Sequence, residues 1–344
     1  MADKSVAAVI LNYNTRNFLE KFLPAVLHTS YSNFKVVVID NASTDDSVAF
    51  MQESYPEIQL IVLEKNFGFA GGYNEGLKQV SADYFILLNS DVEVTPQWVS
   101  PIIEVMEADQ KIAAAQPKIR SYREGHLFEY AGASGGFIDS LAFPFCRGRV
   151  FDHCEQDHGQ YNETREVFWA SGAAMFVRSS IWNEVGGLDA DYFAHMEEID
   201  LCWRLKNRGY KIMVVPESVV YHVGGGTLTR ESPRKTLLNF RNALVTMLKN
   251  MGAGELIWKI PAKLVLDGIA GIRFFLTGQW SNTLAIIRAH FLFYKGFFYW
   301  LGKRKEARGV QDFNQVGKMT GSVVFAYFIR RKTRFDQLDA HIRK

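Results

Sequence analysis

Residues 6–11, 35–39, 58–63 and 84–88 are runs of strand length, apolar but for Lys35 and Gln59, and each closes abruptly on polar side chains. Apolar runs of this length read as strands buried on both faces of a mostly parallel sheet. Between them the pattern predicts a helix from Arg16 to about Leu27, disturbed by Pro24, and a second running towards Ser54 with Thr44 or Asp45 as its cap. Strands alternating with helices predict right-handed βαβ units, hence an α/β chain with a nucleotide-binding type of sheet. In such sheets ligands lie beyond the carboxyl ends of the strands.

Those ends carry the first candidate chemistry. Asn12-Tyr13-Asn14 follows the first run, and Asp40-Asn41-Ala42-Ser43-Thr44-Asp45 the second. Asp40 suits a base N–H or a ribose hydroxyl, and equally suits capping the next turn. The stretch from Lys65 to Asn74, with Gly68, Gly71 and Gly72, could bring backbone N–H groups close to a diphosphate. It has neither G-x-G-x-x-G spacing nor the Gly-Lys-Ser/Thr of a P-loop. Asn89-Ser90-Asp91 closes the fourth run, where a carboxylate can hold a divalent cation against a phosphate or simply solvate a turn.

Further on, Ile112 begins another expected strand, and Trp169 begins one whose small residues would let a flat substrate approach the backbone. Cys146, His153, Cys154 and His158 match no standard zinc spacing. Arg147 and Arg149 suit a phosphate or a surface loop. A helix is expected through Glu197-Glu198-Ile199-Asp200-Leu201-Cys202-Trp203-Arg204, with Ile199, Cys202 and Leu205 as its buried stripe. Asp200 and Arg204 stand at i, i+4, the spacing of an intrahelical ion pair. His222 opens a glycine-rich loop after the last sheet-like pieces.

Residues 230–344 change character: apolar, aromatic stretches punctuated by Lys and Arg. The longest uncharged run there, 274–287, is shorter than a membrane span requires. The net charge of +2 conceals a split: 18 Lys+Arg against 30 Asp+Glu in residues 1–229, and 21 against 7 in residues 230–344. Basic helices with aromatic residues on one side fit an anionic membrane surface better than nucleic acid, and a helical subdomain packed on the rest of the chain or on a second copy would share the pattern. Two domains are therefore expected, 1–229 catalytic and 230–344 basic and amphipathic. Three scattered cysteines and no signal-peptide pattern lead us to expect a reducing, cytoplasmic setting.

Taken in order, Asn12-Tyr13-Asn14, Asp40-Asn41-Ala42-Ser43-x-Asp45, Asn66-x-Gly68-Phe69-Ala70 and Asn89-Ser90-Asp91 resemble glycosyltransferase family 2 over roughly residues 5–226. Gly186-Gly187-Leu188-Asp189 and the Glu197–Arg204 stretch resemble two further motifs of that family. The resemblance implies a GT-A type, Rossmann-like fold and an inverting transfer from a nucleotide-diphosphate sugar to a saccharide or lipid-linked acceptor. It implies donor contacts from Asn12, Tyr13, Asp40, Asn41, Asn66, Gly68, Gly71, Asn74, Asn89 and Ser90. It also implies Mg²⁺ or Mn²⁺ at Asp91 and His222, Glu198 as catalytic base, and Asp200 beside it. This sequence departs from the family in two places: Asn89 replaces the first carboxylate of the usual Asp-x-Asp, as in a rhamnosyltransferase-like branch, and Glu198 stands where Asp is usual. A nucleotidyltransferase and an inactive membrane-bound scaffold of the same fold are the rival readings. A homo-oligomer is compatible with either.

Overall fold

The computed structural model describes residues 3–224, 232–307 and 313–344. The boundary expected at 229/230 and the Gly225-Gly226 pair lie outside them.

The first half alternates as its pattern predicts: β1 (Val6–Asn12), α1 (Arg16–Leu27), β2 (Phe34–Asp40), α2 (Ser47–Ser54), β3 (Gln59–Val62), α3 (Gly68–Leu77) and β4 (Tyr84–Asn89). Then follow β5 (Val92–Val94), α4 (Ser100–Ala108) and the long β6 (Ile112–Ser121). Pro24 sits inside α1 without ending it. Strands β3, β2, β1 and β4 lie side by side and parallel, and the register sets Asn12 beside Asp40 and Leu11 beside Asn89. Residues alternate between the two faces with period 2. Val6, Ala8 and Ile10 face α1 and α4, while Ala7 and Val9 face α3.

Short strands β7 (Gly136–Ile138), β8 (Pro144–Cys146), β9 (Arg149–Val150) and β10 (His153–Cys154) form a small separate sheet. The main sheet resumes with β11 (Arg165–Val167) and β12 (Ala174–Arg178), passes through α5 (Ser179–Val185) and α6 (Glu197–Lys206), and closes with β13 (Lys211–His222). Its order is β11-β13-β6-β12-β4-β1-β2-β3, with β5 on β13. β13 runs parallel to β6, whereas β12 is antiparallel to β4 and β6.

Residues 232–344 form α7 (Pro233–Asn250), α8 (Ala253–Leu276), α9 (Trp280–Lys295), α10 (Phe297–Ala307), α11 (Val323–Phe328) and α12 (Asp336–Asp339). They do not stand apart. Leu244, Met247 and Leu248 of α7 share one core with Ile199 and Cys202 of α6. Residues 313–344 roof the small sheet: Phe335 stacks on Phe137 at 4.7 Å, its N–H donates to Glu155 at 2.9 Å, and the Val323 N–H donates to Asp139 at 2.9 Å. Arg147 and Arg149 are tied within this region, to the carbonyls of Glu163 and Tyr130 at 2.9 and 3.0 Å, so they hold loops together.

Candidate active site

The carboxyl ends of β1, β2 and β4 meet where the strand order reverses direction around β1, the crevice in which open α/β sheets bind ligands. Asn12 is buried there, donating to Asp40 at 2.8 Å and to Ser43 at 3.0 Å. Asp40 also accepts from the Ser43 N–H at 2.8 Å, which is the turn-capping role. Asn41 reaches sideways to the next strand end. Its amide donates to Asn66 at 3.1 Å and to the Gly68 carbonyl at 2.9 Å, and accepts from the Phe67 N–H at 3.0 Å. Tyr13 is half-buried beside Asn12, and Ser90 meets Thr15 at 2.9 Å.

Two expected donor contacts sit elsewhere, because the helix α3 begins at Gly68 and absorbs most of the glycine-rich stretch. Asn74 faces the Gly186–Asp189 turn, donating to the Leu188 carbonyl at 2.6 Å and accepting its N–H at 3.0 Å. Gly71 lies where an added Cβ would meet Phe67 at 2.9 Å, a packing requirement inside the helix. Gly68 is different. Its φ of +74° and a carbonyl of Phe193 only 2.6 Å from a virtual Cβ demand glycine.

Asp91 follows β4, and His222 ends β13, which β5 brings alongside through the His222–Val92 pairing. His222 Nε2 lies 3.1 Å from Asp91 Oδ1 and 3.4 Å from the Asn89 amide nitrogen. Its Nδ1 lies 3.3 Å from Glu129 Oε1. All three ionisable side chains are buried. Burial alone would lower the imidazole, but Glu129 and Asp91 outweigh it and push His222 up to about 10. Burial likewise opposes ionisation of Asp91, and His222 holds its carboxyl below the usual range. No group of three metal-ligating side chains occurs among the described residues. The pair nevertheless fits a cation completed by phosphate oxygens: one carboxylate and one imidazole, with the Glu129 carboxylate behind the ring, where such a group orients a metal-bound histidine.

The Glu198 carboxylate rises from the start of α6, with Oε2 buried and unpartnered. Its Cβ lies 3.9 Å from a virtual Cβ on Gly172, and the adjoining Ala173 carbonyl accepts the Asn89 N–H at 3.0 Å. A short contact chain thus links Glu198 to the end of β4. Burial pushes Glu198 up to about 7. Glu197 is raised well above the carboxylate range by burial, then by Glu198. The loop before α6 is strained: Phe193, His195 and Met196 have φ of 64°, 69° and 71°. It is clamped from both sides. The Phe69 N–H donates to the Phe193 carbonyl at 2.7 Å, and the buried Asn242 amide of α7 faces the carbonyls of Tyr192, Ala194 and His195 at 3.1, 3.0 and 2.7 Å.

Asp200 departs from the catalytic role implied for it. It is 0% exposed and bonds Arg204 at 2.8 Å, Lys249 at 2.9 Å, Asn250 at 2.8 Å and Tyr192 at 3.2 Å. Burial would raise it, but Lys249 and Arg204 hold it well below the usual range. Its carboxylate anchors α6 to α7.

Against this geometry, the model of glycosyl transferase family 2 matches residues 7–181. The chain belongs to that family. An N-acetylglucosaminyl-diphospho-decaprenol L-rhamnosyltransferase of Mycobacterium tuberculosis is 25% identical over 280 residues, 77% of this chain and 90% of the relative. The glycosyltransferase GlyA of Streptococcus pneumoniae is 23% identical over 270 residues, 73% of this chain and 36% of that protein. The fold is that of a crystal structure of GalNAc-T7 with UDP, GalNAc and Mn²⁺, at a TM-score of 0.56, 15% identity, and coverage of 72% of this chain and 48% of that one.

This family 2 glycosyltransferase also uses residues that motif reading passes over. Glu129 stands in an irregular stretch with no local signal, and only the β6–β13 pairing brings it behind His222. Asn242 looks like one polar position on an amphipathic helix. Its burial would have been the clue, since a buried Asn needs partners.

Proposed function

We propose that this glycosyltransferase moves a sugar, with inversion, from a nucleotide-diphosphate sugar to a hydroxyl of a saccharide or lipid-linked acceptor in cell-envelope polysaccharide synthesis. The observation that carries this reading is the buried, unpartnered Glu198 oxygen, linked through Gly172 and Ala173 to the end of β4 that leads into Asp91. As the acceptor oxygen attacks the anomeric carbon, Glu198 takes its proton, and the bond to the diphosphate breaks with its electron pair leaving on the diphosphate oxygen. Asp91 and His222 would hold Mg²⁺ or Mn²⁺, and the ion would neutralise the departing diphosphate so that no acid is needed on that side. Asn12, Asp40 and the Asn41–Asn66–Gly68 network shape the donor side, and Asn89, with no charge of its own, faces His222. A lipid-linked acceptor is supported by the mycobacterial relative, whose name specifies a diphospho-decaprenol substrate.

The working position we propose is peripheral, on the cytoplasmic face of a membrane. No helix among the described residues is long and apolar enough to cross one. Yet α8, α9 and α10 expose Ile257, Trp258, Leu276, Phe291 and Phe298, the last 85% accessible. Such a face beside basic residues suits an anionic lipid surface.

Calorimetric titration of a nucleoside diphosphate with Mn²⁺ tests the site. Metal-dependent affinity should vanish in both Asp91→Ala and His222→Ala. Undiminished affinity in the two variants would remove these residues from the metal site.

A further inference from the structure

A groove of about 510 Å³ runs between α7 and α9, apart from the sheet edge that holds the donor residues. That is within the range of sites for small molecules, roughly 300–1,000 Å³. Leu237 and Leu238 of α7 and Leu284 and Leu292 of α9 line it, and Arg234 and Arg288 border it. Both arginines are exposed, and neither forms an ion pair or side-chain hydrogen bond among the described residues. Two exposed guanidinium groups over an apolar floor are complementary to an amphiphile with a strongly anionic head.

Two features of the groove narrow the occupant further. Arg234 lies over the Phe193 ring at 4.8 Å, and Phe193 belongs to the strained loop before Glu198. A head group held by Arg234 therefore lies against the loop that leads into α6 and Glu198. On α9, Leu284, 65% exposed, continues into Ile287 and Phe291, which are exposed at i+3 and i+7 on one helix face. An apolar tail could pass from a lipid surface into the groove without crossing water.

We infer that the α7–α9 groove seats the lipid diphosphate of the acceptor, with Arg234 and Arg288 gripping the diphosphate and Leu237, Leu238, Leu284 and Leu292 receiving the first part of the tail. This rests on the glycosyl-transfer reading above and extends it to the acceptor. Helices α7 and α9 then set the distance between membrane and catalytic base. The site selects for diphosphate and tail together, since neither part alone satisfies both the guanidinium groups and the leucines.

Binding of farnesyl diphosphate to the full chain, followed by calorimetry in metal-free buffer with the nucleotide site open, tests this. Inorganic diphosphate, farnesol and phosphatidylglycerol vesicles are run beside it. The expected result is that farnesyl diphosphate binds about tenfold or more tighter than inorganic diphosphate or farnesol. That advantage should disappear in Arg234→Ala/Arg288→Ala and in Leu284→Asp, with circular dichroism confirming the fold. Equal affinity for inorganic and farnesyl diphosphate, full affinity retained in the variants, or complete displacement by the vesicles would each overturn the assignment. Mn²⁺-dependent nucleoside diphosphate binding by the unmodified protein is measured separately, so a failure of the glycosyl-transfer reading is seen apart from a failure of the groove.

Discussion

Glu198 has a carboxyl raised to about 7 by burial, which places its deprotonation within the working range of a general base. The rate of transfer, as kcat/KM, should therefore rise with pH to a plateau above about 7. Glu198→Gln should lower transfer about 10²- to 10⁴-fold, since an amide cannot accept the proton, while donor affinity persists. Stability moves the other way. The folded protein keeps this proton up to about 7, whereas an unfolded glutamate releases it near pH 4, so the side chain costs stability as pH rises between those values. Glu198→Gln should accordingly melt higher than the parent at pH 8 and no higher at pH 4. Transfer at an undiminished rate would hand the role to Glu197. At this scale the candidates Glu198, Asp91 and His222 come from the sequence, because each falls at a position of the family resemblance. Glu129 and Asn242 do not, because their roles exist only once strands and helices distant in the chain are packed together.

Helix α7 shows how an element can serve the site without carrying its chemistry. The Asn242 amide nitrogen lies within 3.1 Å of three carbonyls in and beside the strained loop, and Lys249 bridges Asp189 and Asp200 at 2.7 and 2.9 Å. Positive-φ residues outside glycine cost of order 1–3 kcal/mol each and persist only when their surroundings over-determine them. Asn242→Ala should leave the protein folded but let this loop relax. The expected outcome is a drop in kcat with donor affinity retained and a loss of about 1–3 kcal/mol in denaturant unfolding. An unchanged kcat would show that α6 alone fixes the base. Strands β1, β2 and β4 are legible from their apolar runs because burial on both faces leaves no other pattern, whereas β3 at the sheet edge is largely exposed. The glycine-rich stretch misleads at Gly71 and Asn74, since glycine content signals close packing as readily as a phosphate loop.

Over the whole molecule, positive charge and exposed apolar side chains coincide in residues 232–344. Basic residues near an anionic surface contribute about 1 kcal/mol each and are screened by salt, whereas apolar insertion is not. The full chain should float with anionic liposomes at low salt and remain partly bound at high salt. Ile257→Ser/Phe298→Ser should lose the salt-resistant fraction first. Failure to float under either condition would make this face a contact between copies. The basic, aromatic character of this region is legible in the sequence, but its division is not: α7 joins the core, and residues 313–344 roof the small sheet. That roof has a consequence in time. Phe335 and Val323 reach Glu155 and Asp139 across 180 and 184 positions of chain. At about 5–20 residues per second, a ribosome adds them roughly 10–40 s after the strands they cover. Throughout that interval Phe137, Phe145 and Tyr161 lack the ring that packs against them. Until residues 323–335 are made, the small sheet stands without its cover, with these rings open to a chaperone.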